Sequence, residues 1–542
     1  MTDSEADVLI IGAGAAGLAA ALAAHESGAS VRLIEKQDRL GGTAAISGGV
    51  VWLPDHEQMA AAGKTDSAAD AEAYFRSLDH GEMDEAVLRA FAAEARQMHA
   101  FLTGLGALAL TMMPDYPDYY GERPGAKADG GRSLDNELFD FKTLGAWQDR
   151  VFQNGPAPRM MLRETPLGGS SGMVDPATLQ QRAKQDLRGW GQALVGRLLK
   201  ACLDRGIEPL LGCGGYRLCV EQGRVTGAIV DRGGEQKFMA ARQGVILATG
   251  GFEWNEALRH AFLRGPLDAP ASPPTNVGDG LKMAMAAGAG LGNMTSAWWV
   301  PTLAVPDSQW QSGETRNMPV LIERTLPHGI MVNRAGKRFC NEAANYSALA
   351  GAFHAFDPAT YGYPNLPAHL VFDSHYRERY PLASFMPGTP LPDWVARAET
   401  LAALAAKIGV DADGLGATVE RFNGLAERLD DEDFGRGKAD YDRFYGDRSR
   451  NGAAATLGAL TRAPFYAVEI NMGALGTNGG PKTSAEAQIL DVDGQPIAGL
   501  FGAGNVISAP TGSVYAGAGG TLGPALTFGY IAGRAAAKRI NQ

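Results

Sequence analysis

Two glycine-rich stretches, one near each end of the chain, have the composition of loops that hold a ligand against the backbone. The first, DVLIIGAGAAG, places Gly12, Gly14 and Gly17 directly after an apolar run. The second, SVYAGAGGTLG at residues 513–523, contains a single phenol, Tyr515, among glycines and alanines. Because glycine has no side chain and accepts positive φ, a ligand can approach such a backbone closely. We therefore expect both stretches to contact a ligand, although a plain loop before a helix also fits the second.

The elements around the first glycine cluster are those of a dinucleotide-binding unit. The run DVLII predicts a buried strand, LAAALAAHESGA predicts a helix, and SVRLIEK predicts a second strand that ends near an acid. Such glycines allow a tight turn and close approach to a pyrophosphate, while the helix N terminus supplies free N–H groups. The acid can accept hydrogen bonds from both ribose hydroxyls and would repel a 2′-phosphate. The candidate residues of this unit are Gly12, Gly14, Ala15, Ala16, Gly17 and Glu35.

The sequence after Glu35 indicates which dinucleotide is bound. A nicotinamide domain would normally continue into another βα unit, whereas KQDRLGGTAAISGGVVWLP supplies a second glycine-rich element. GVILATGGFEWN predicts a buried strand ending on Gly250 and Gly251. GLFGAGNV at 499–506 predicts a segment near the C terminus at which the chain returns to the dinucleotide. This arrangement resembles the FAD-binding flavoproteins of the fumarate reductase and ketosteroid dehydrogenase superfamily. The resemblance implies noncovalently bound FAD, with further candidate cofactor residues at Lys36, Gly41, Gly42, Thr43, Ser47, Gly48, Gly49, Gly250, Gly251, Asp279, Gly504, Asn505, Gly520 and Leu522.

These segments predict an α/β fold with a Rossmann-like FAD-binding domain that is split in sequence by an inserted, smaller α+β catalytic domain. We assign residues 1–296 and 477–542 to the FAD-binding domain and residues 297–476 to the insert, where irregular, aromatic-rich sequence begins. In the insert, DADGLGATVERFNGLAERLDDEDFGRG predicts a short helical pair, and a last helix is predicted to begin near Pro524. The sequence of residues 154–190 indicates no particular secondary structure. An ordered excursion from the domain or a surface loop near a membrane would fit this segment.

Four ordered segments are similar to the signature segments of the 3-ketosteroid Δ1-dehydrogenases, and the similarity extends over most of the chain. They are TMMPDYPDYYGERPG, RFCNEAANY, LGTNGG and VYAGAGGTLGPALTFGY. In that family a tyrosine of the first segment assists a tyrosine after the Asn-Glu pair, which acts as the base. A tyrosine and a glycine amide of the last segment bind the ketone oxygen. The matching catalytic positions are Tyr119, Tyr346, Tyr515 and Gly519.

The chain departs from that family pattern where prolines are replaced by Asn345, Ala516 and Ala518. Fewer prolines predict a less rigid loop, which affects the shape of the substrate more directly than the type of reaction. The resemblance implies FAD-dependent desaturation of a 3-ketosteroid-like cyclic ketone at the bond next to the carbonyl, a Δ1-dehydrogenation. Desaturation of another ring bond, or of a smaller cyclic ketone, is the nearest alternative.

Apart from the family resemblance, the chemical properties of phenols suit the desaturation of a ketone. Removing hydrogens from adjacent carbons of a ketone needs a base, a donor to the enolate oxygen, and a hydride acceptor, which is the flavin. A phenol with a pKa of about 10 is a poor base at neutral pH, but a hydrogen bond from a second phenol improves it. Any single tyrosine also fits a packing role, as expected for Tyr116 and Tyr120. Trp298 and Trp299 are expected to wall the substrate cleft.

Two other functions compete with ketone desaturation. A fumarate-type reductase would need cations to hold a dicarboxylate; Arg334 and Arg338 are available, but a cleft rich in phenols does not favour such a substrate. A noncatalytic electron-transfer or sensor protein would need the flavin but not the tyrosines. The tyrosine set therefore favours an enzyme.

Composition excludes several other classes. A net charge of −11 and a pI near 5.4 disfavour nucleic acid as a partner. The N terminus carries acids where a signal peptide needs positive charge, and no apolar run reaches about 18 residues. We therefore expect a cytoplasmic protein with no transmembrane segment, for which peripheral membrane association stays open. The four cysteines are expected to be reduced, and no metal-ligand spacing is present among the nine histidines. The electron acceptor is not identified by the sequence.

Overall fold

The computed structural model of the protein describes residues 5–170 and 172–538. The outermost ends of the two predicted FAD-binding segments, 1–4 and 539–542, lie outside the described residues, as does position 171 in the segment 154–190.

Strands and helices are interspersed along the described residues. The strands are β1 (Glu5–Ile11), β2 (Val31–Ile34), β3 (Val51–Trp52), β4 (Leu110–Met112), β5 (Ser133–Asn136), β6 (Phe139–Asp140), β7 (Leu187–Arg188), β8 (Cys213–Glu221), β9 (Arg224–Arg232), β10 (Glu235–Leu247), β11 (Leu291–Gly292), β12 (Ala297–Gln309), β13 (Thr315–Pro319), β14 (Gly329–Val332), β15 (Ala368–Phe372), β16 (Ala396–Ala398), β17 (Phe465–Thr477), β18 (Gly480–Pro481), β19 (Gln488–Leu490) and β20 (Pro496–Gly502). The helices are α1 (Ala15–Glu26), α2 (Gly42–Ile46), α3 (Glu57–Ala61), α4 (Ala68–Arg76), α5 (Glu85–Gly104), α6 (Pro176–Gln185), α7 (Trp190–Leu203), α8 (Glu256–Phe262), α9 (Asp279–Ala286), α10 (Ala350–Phe353), α11 (Ser374–Arg379), α12 (Leu401–Ile408), α13 (Ala412–Arg428), α14 (Asp440–Phe444) and α15 (Leu522–Ala536). The predicted α/β class is confirmed.

A seven-stranded sheet is built from three separate parts of the chain. Its order is β19-β20-β9-β10-β1-β2, with β8 added next to β9. The strands β2, β1, β10 and β20 are mutually parallel where they pair. Their carboxyl-terminal ends, residues 8–11, 33–34, 244–247 and 499–502, are buried and apolar, as expected for parallel strands covered by helices on both faces.

The register of these parallel strands brings their carboxyl ends to one edge. Ile11 pairs with both Ile34 and Leu247, and Leu247 pairs with Gly502. The segments that follow the four strands therefore emerge side by side. In α/β sheets, ligands bind at this edge.

Two helices with small residues cover this part of the sheet. Helix α1 is almost entirely Ala, Gly and Leu, and it packs closely against α15. A side chain at Gly529 of α15 would meet the carbonyl oxygen of Ala16 at 2.4 Å, so the helices approach as closely as glycine allows. Helix α15 begins at Leu522, two residues before the predicted start at Pro524, because proline is tolerated in the first turn. The strand predicted to end on Gly250 and Gly251 ends earlier, at Leu247.

A second, antiparallel sheet lies within the predicted insert. Its order is β13-β12-β17-β15-β14, with β16 paired to β17. The expected helical pair in the insert is wrong, because α13 runs unbroken from Ala412 to Arg428. Its internal glycines do not stop it, and the apolar positions Leu415, Val419 and Phe422 recur on one buried face. The division at 297–476 remains our proposed domain boundary.

A cluster of aromatic side chains lies apart from the cores of both sheets. We call its six phenols, Tyr116, Tyr119, Tyr346, Tyr441, Tyr445 and Tyr515, the tyrosine cluster. Trp298 on β12 packs against it, as expected for a cleft wall. The same expectation for Trp299 is wrong. Side chains alternate along a strand, so Trp299 points into the other core, against His354.

The segment 154–190 is ordered where it is described. It contains two short 3-10 turns, helix α6 and strand β7, and Leu162 and Leu167 pack against the tyrosine cluster. Over residues 5–170 and 172–538, no helix combines the length and hydropathy needed to cross a bilayer.

Candidate active site

The predicted cofactor residues meet at the carboxyl edge of the parallel sheet. Gly12 has φ +109°, and a side chain there would lie 2.3 Å from the carbonyl oxygen of Ala248. Gly504 lies beside the starts of both α1 and α15, since its Cβ position would be 3.1 Å from Ala16 Cβ and 4.0 Å from that of Ala525. Two helix N termini therefore converge at this edge, where their dipoles favour negative charge.

The start of α1 is open for an anionic ligand. Its N-cap, Gly14, offers no side-chain cap, and the first turn holds no acidic residue. In the described part of the chain, the N–H groups of Ala15, Ala16 and Gly17 donate to no acceptor. Unpaired N–H groups at a helix start are the usual donors to a pyrophosphate.

Glu35 and Lys36 lie next to this turn. The buried carboxylate of Glu35 accepts hydrogen bonds from the N–H groups of Ala13 (3.0 Å) and Gln37 (3.1 Å). Burial raises the pKa of Glu35 above its usual value. Each carboxylate oxygen has a second lone pair for a hydroxyl donor. Lys36 Nζ donates to Asp279 Oδ2 at 2.7 Å and to the Thr275 carbonyl, which joins two candidate residues into one ion pair.

The second glycine-rich element, residues 41–49, packs on the same edge. Gly41 is the N-cap of α2, which begins at Gly42. Ser47 Oγ accepts from the N–H of Gly49 at 3.0 Å, and Gly48 lies between them. Thr43 Oγ1 accepts from Asn276 Nδ2 at 2.9 Å.

The sequence does not indicate a role for two residues near Gly250 and Gly251, namely Glu253 and Asn276. Asn276 Nδ2 also donates to the buried carboxylate of Glu253 at 2.7 Å. A side chain at Gly250 would lie 2.9 Å from Asn276 Oδ1, and one at Gly251 would lie 2.3 Å from Glu253 Oε2. The stretch around Asn276 is irregular, and no spacing or periodicity marks it.

The cofactor edge and the tyrosine cluster are joined through Asn505. Its Oδ1 accepts from Trp298 Nε1 at 3.2 Å, and Trp298 in turn packs against Tyr515 with ring centroids 5.5 Å apart. A cleft here is lined by Gly504, Asn505, Trp298, Thr521 and Pro524 among others. Gly520 and Leu522 lie at the start of α15, where no side chain caps the helix. The unpaired N–H groups at the start of α1 and the buried carboxylate of Glu35 fit a dinucleotide.

The three predicted catalytic tyrosines lie in direct contact. The hydroxyls of Tyr119 and Tyr346 are 3.2 Å apart, within hydrogen-bond distance. The ring centroid of Tyr515 lies 5.2 Å from that of Tyr346 and 5.8 Å from that of Tyr119. All three are buried, at 4 to 6 % exposure. Segments separated by more than 160 residues therefore supply one cluster of phenols.

Burial makes these phenols hard to ionise. It raises the pKa of Tyr119 and Tyr346 well above 10, and that of Tyr515 above its usual value. The hydrogen bond between Tyr119 and Tyr346 works in the opposite direction for Tyr346. A fully buried cation, Arg324, lies behind the cluster and lowers the pKa of Tyr441 and Tyr445 against the larger effect of burial.

A buried ion pair holds the loop that carries Tyr119. Asp118 Oδ2 accepts from Arg132 Nη1 at 2.8 Å, while its Oδ1 accepts from Trp52 Nε1 at 2.8 Å. Arg132 also binds Asp66 at 2.6 Å. The neighbouring N–H of Tyr119 donates to the Ala516 carbonyl at 2.9 Å, which ties the Tyr119 loop to the Tyr515 loop.

A second ion-pair network holds the segment before Tyr346. Glu342 is fully buried between Arg338 (2.7 Å) and Arg436 (3.2 Å), and Arg338 also binds Asp431 at 2.9 Å. Removing one member would leave a buried charge without a partner, which is strongly destabilising. The Asn-Glu pair of the sequence therefore positions the tyrosine four residues later.

The loop of residues 515–519 is fastened through its carbonyl groups. The Tyr515 carbonyl accepts from Asn345 Nδ2 at 3.2 Å, and the Ala516 carbonyl accepts from Tyr74 Oη at 2.8 Å. By contrast, the N–H groups of residues 515–519 have no acceptor within the described residues. Hydrogen bonds to its carbonyl groups hold this loop at positions where the family pattern has prolines.

Gly519 is the predicted backbone donor. Its φ of +88° suits glycine, and a side chain would lie 2.5 Å from Val50 O and from Trp52 N. No other residue fits there without moving β3. Its N–H and the Tyr515 hydroxyl lie in one buried loop, four residues apart.

Sequence reasoning missed the phenols of the segment ADYDRFYG. Tyr441 and Tyr445 are spaced four residues apart around the short helix α14 and face the cluster together. Tyr441 packs edge-on against Tyr119 at 4.8 Å, and Tyr445 Oη is hydrogen-bonded to Tyr116 Oη. Tyr116 is thus a buried member of the cluster, whereas Tyr120 is half-buried at its margin. The four-residue spacing of Tyr441 and Tyr445 is the sequence feature that predicts both side chains on one face of a helix.

One group of side chains brings metal-ligand atoms within 4.8 Å of one another: His328, Asp373 and His375. Asp373 already caps α11, accepting from the N–H of His375 at 2.9 Å. Arg450 Nη2 lies 3.4 Å from His328 Nε2, and a cation there opposes metal binding. We assign no metal to this group.

Comparison with known proteins agrees with this geometry. A family described as FAD binding domain matches residues 7–522. The 4-oxocyclohexanecarboxylate 2-dehydrogenase of Sinomonas cyclohexanicum is 41% identical, over 97% of this chain and 92% of that protein. The 3-oxosteroid 1-dehydrogenase of Mycolicibacterium smegmatis is 37% identical, over 98% of this chain and 97% of that protein. The crystal structure of 3-ketosteroid delta1-dehydrogenase from Sterolibacterium denitrificans, in complex with 1,4-androstadiene-3,17-dione, superposes with a TM-score of 0.89 at 35% identity, covering 98% of this chain and 99% of that one.

Proposed function

The chain belongs to the FAD-binding family that includes the 3-oxosteroid 1-dehydrogenases, and on that premise we propose that it desaturates a cyclic ketone at the bond next to the carbonyl. The observation that carries this proposal is the juxtaposition of the Tyr119–Tyr346 hydroxyl pair, 3.2 Å apart, with a buried loop of unpaired N–H donors at Tyr515 to Gly519. The pair offers a base, and the loop offers donors to an oxygen.

FAD would be held at the sheet edge by the open start of α1, by Glu35 and by the residues around Gly504. When bound, FAD supplies the acceptor for the hydride that leaves the carbon β to the carbonyl. No residue in this set is a covalent tether, which favours noncovalent binding.

The chain's own groups would handle the proton and the oxygen. Tyr515 Oη–H and Gly519 N–H donate to the ketone oxygen, where negative charge grows as the α-proton leaves. Such a donor contributes roughly 3–4 kcal/mol to transition-state stabilisation. Tyr346 Oη accepts the α-proton, and Tyr119 Oη–H donates to Tyr346 Oη, stabilising its ionised form.

A fumarate-type reduction is less well supported. Arg338 is 4 % exposed and is occupied by two carboxylates, and Arg334 is exposed to solvent. The guanidinium of Arg338 stacks on Phe422 and Phe434, which are not members of the tyrosine cluster. Arg324, the buried cation behind the cluster, uses Nε and Nη1 on the backbone carbonyls of Val320, Glu342 and Ala344. Among the described residues it keeps a single unpaired nitrogen, Nη2, whereas a bidentate pair with a carboxylate needs two.

The substrate is a 3-ketosteroid or a smaller cyclic keto acid, which share a six-membered ring bearing a ketone. A 3-ketosteroid is favoured by the ordered tyrosine segments and by the overall superposition. A 4-oxocyclohexanecarboxylate-type ketone is favoured by one specific observation, the higher identity to a dehydrogenase named for that substrate.

The two substrates can be separated by direct turnover. The purified protein is mixed with a 3-ketosteroid or with 4-oxocyclohexanecarboxylate in the presence of a dye as artificial electron acceptor. We expect dye reduction and flavin bleaching with at least one of them, and a difference of tenfold or more in kcat/KM between them, because one pocket cannot fit both shapes equally. Product analysis should show a new C=C bond conjugated to the carbonyl. No bleaching with either ketone, together with reoxidation of the reduced flavin by fumarate, would favour the reductase instead.

The binding mode of FAD is tested without substrate. The purified protein is expected to be yellow, and acid precipitation should release FAD into the supernatant, since hydrogen bonds and helix dipoles hold it. Chromatography of the supernatant against FAD and FMN standards identifies the flavin. Yellow colour that stays in the pellet would indicate a covalent bond, and release of FMN alone would contradict a dinucleotide site.

A further inference from the structure

Ser133 makes one long-range contact that the proposed chemistry does not use directly. It lies on β5, pairs with Trp52 of β3 and is 1 % exposed. Its hydroxyl donates to the carbonyl oxygen of Ala518 at 3.1 Å, in a loop 385 residues further along the chain.

The acceptor belongs to the same peptide unit as the Gly519 N–H. A trans peptide is planar, so its C=O and N–H point in opposite directions. A hydrogen bond that fixes the Ala518 carbonyl therefore also fixes the direction of the Gly519 N–H, away from Ser133. On the next peptide unit, Trp52 N–H donates to the Gly519 carbonyl at 3.2 Å. Strands β3 and β5 thus hold this turn from one side and leave the Gly519 N–H without an acceptor among the described residues.

We propose that Ser133 is a positioning residue that aims the Gly519 N–H at the oxygen of the bound ketone. The inference rests on the proposed function of Gly519 as a donor to that oxygen. Ser133 acts in two ways. It restricts rotation of the peptide plane, and its hydrogen bond to the carbonyl polarises the amide, which makes the N–H a stronger donor. Both effects stabilise the bound oxygen more strongly as negative charge develops on it.

The test is Ser133→Ala, compared with Ser374→Ala as a matched control. Ser374 is also a buried serine, and its hydroxyl donates to a backbone carbonyl, that of Pro464, at 2.9 Å, away from the tyrosine cluster. We expect S133A to lower kcat roughly 5- to 50-fold while KM changes less than about threefold, because the lost alignment matters most in the transition state. S374A should keep kcat within about twofold.

A binding measurement separates positioning from general damage and needs no turnover. Changes in the flavin absorbance report the affinity for 4-methylphenol, whose oxygen imitates the enolate, and for toluene, which lacks that oxygen. S133A should lower the affinity for 4-methylphenol several-fold and leave the affinity for toluene unchanged. Unchanged affinity for 4-methylphenol, equal losses for both ligands, or equal effects of S133A and S374A would overturn the inference. If the unsubstituted protein desaturates neither ketone, that result would count against the proposed function. A selective loss of affinity for 4-methylphenol in S133A would still support the role of Ser133.

Discussion

Replacing Tyr346 with phenylalanine is expected to lower the rate of flavin reduction by a ketone roughly 10²- to 10⁴-fold, the usual contribution of a general base. The substitution removes only the Oη atom that lies 3.2 Å from Tyr119 Oη. The ring stays, with its contacts to Tyr119 at 5.5 Å and Tyr515 at 5.2 Å between centroids, so packing changes little. FAD binding should persist, because the cofactor edge lies on other elements.

The pH dependence gives a second, independent signature. Burial raises the pKa of Tyr346 well above 10, so the hydroxyl is protonated at neutral pH. Only the ionised oxygen can accept the proton, so the rate should rise with pH, by about tenfold per unit at most, while the pH stays below that pKa. Tyr346→Phe should lose this rise.

Rapid-mixing measurements of flavin bleaching over a pH series check both expectations. Tyr376→Phe is the control, because Tyr376 is a buried tyrosine in the core of the second sheet whose hydroxyl donates to the Glu323 carbonyl at 3.0 Å. It should alter stability and leave the rate of flavin reduction unchanged. A Tyr346→Phe variant that retains more than about a third of the wild-type rate would remove Tyr346 from the mechanism.

The cofactor edge is predictable from sequence because its determinants are local. A buried strand, a glycine turn and a helix follow one another between residues 7 and 26, and each has its own pattern. Parallel pairing then places every segment that follows a strand at the same edge, so Glu35, Gly250 and Gly504 meet without further information. The positions of Tyr119, Tyr346 and Tyr515 required the family resemblance, since no local pattern connects them.

Other features depend on long-range packing that no local pattern encodes. The Asp66–Arg132 ion pair and the Ser133–Ala518 hydrogen bond join distant segments through single side chains. The sequence also leaves open which side of β12 faces the cleft, so it does not distinguish Trp298 from Trp299, although the alternation of side chains places them on opposite sides. A register choice of one residue exchanges the two faces, and this is set by the partner strand β17.

Replacing Tyr515 with phenylalanine should separate binding from catalysis at the ketone oxygen. Tyr515 is 6 % exposed and contacts Tyr119, Tyr346 and Trp298 through its ring, all of which phenylalanine preserves. The variant loses one of the two proposed donors to the oxygen. Loss of one donor of this kind costs roughly 10²- to 10³-fold in turnover. The ground-state oxygen carries less charge than the enolate, so affinity for the unreacted ketone should fall much less.

The decisive comparison is therefore the ratio of the two losses in Tyr515→Phe. Turnover is measured with the better of the two ketones, and affinity is measured by spectral titration with an unreactive cyclic ketone. Tyr530→Phe is the control: it lies on α15, its hydroxyl accepts from Arg534 Nη1 at 3.0 Å, and it is not part of the tyrosine cluster. Equal losses of affinity and rate would make Tyr515 a residue that binds ground state and transition state alike. An unchanged rate would mean that its ring only packs in the cluster, and that Gly519 N–H, aimed by Ser133, is the sole donor of the loop that the reaction needs.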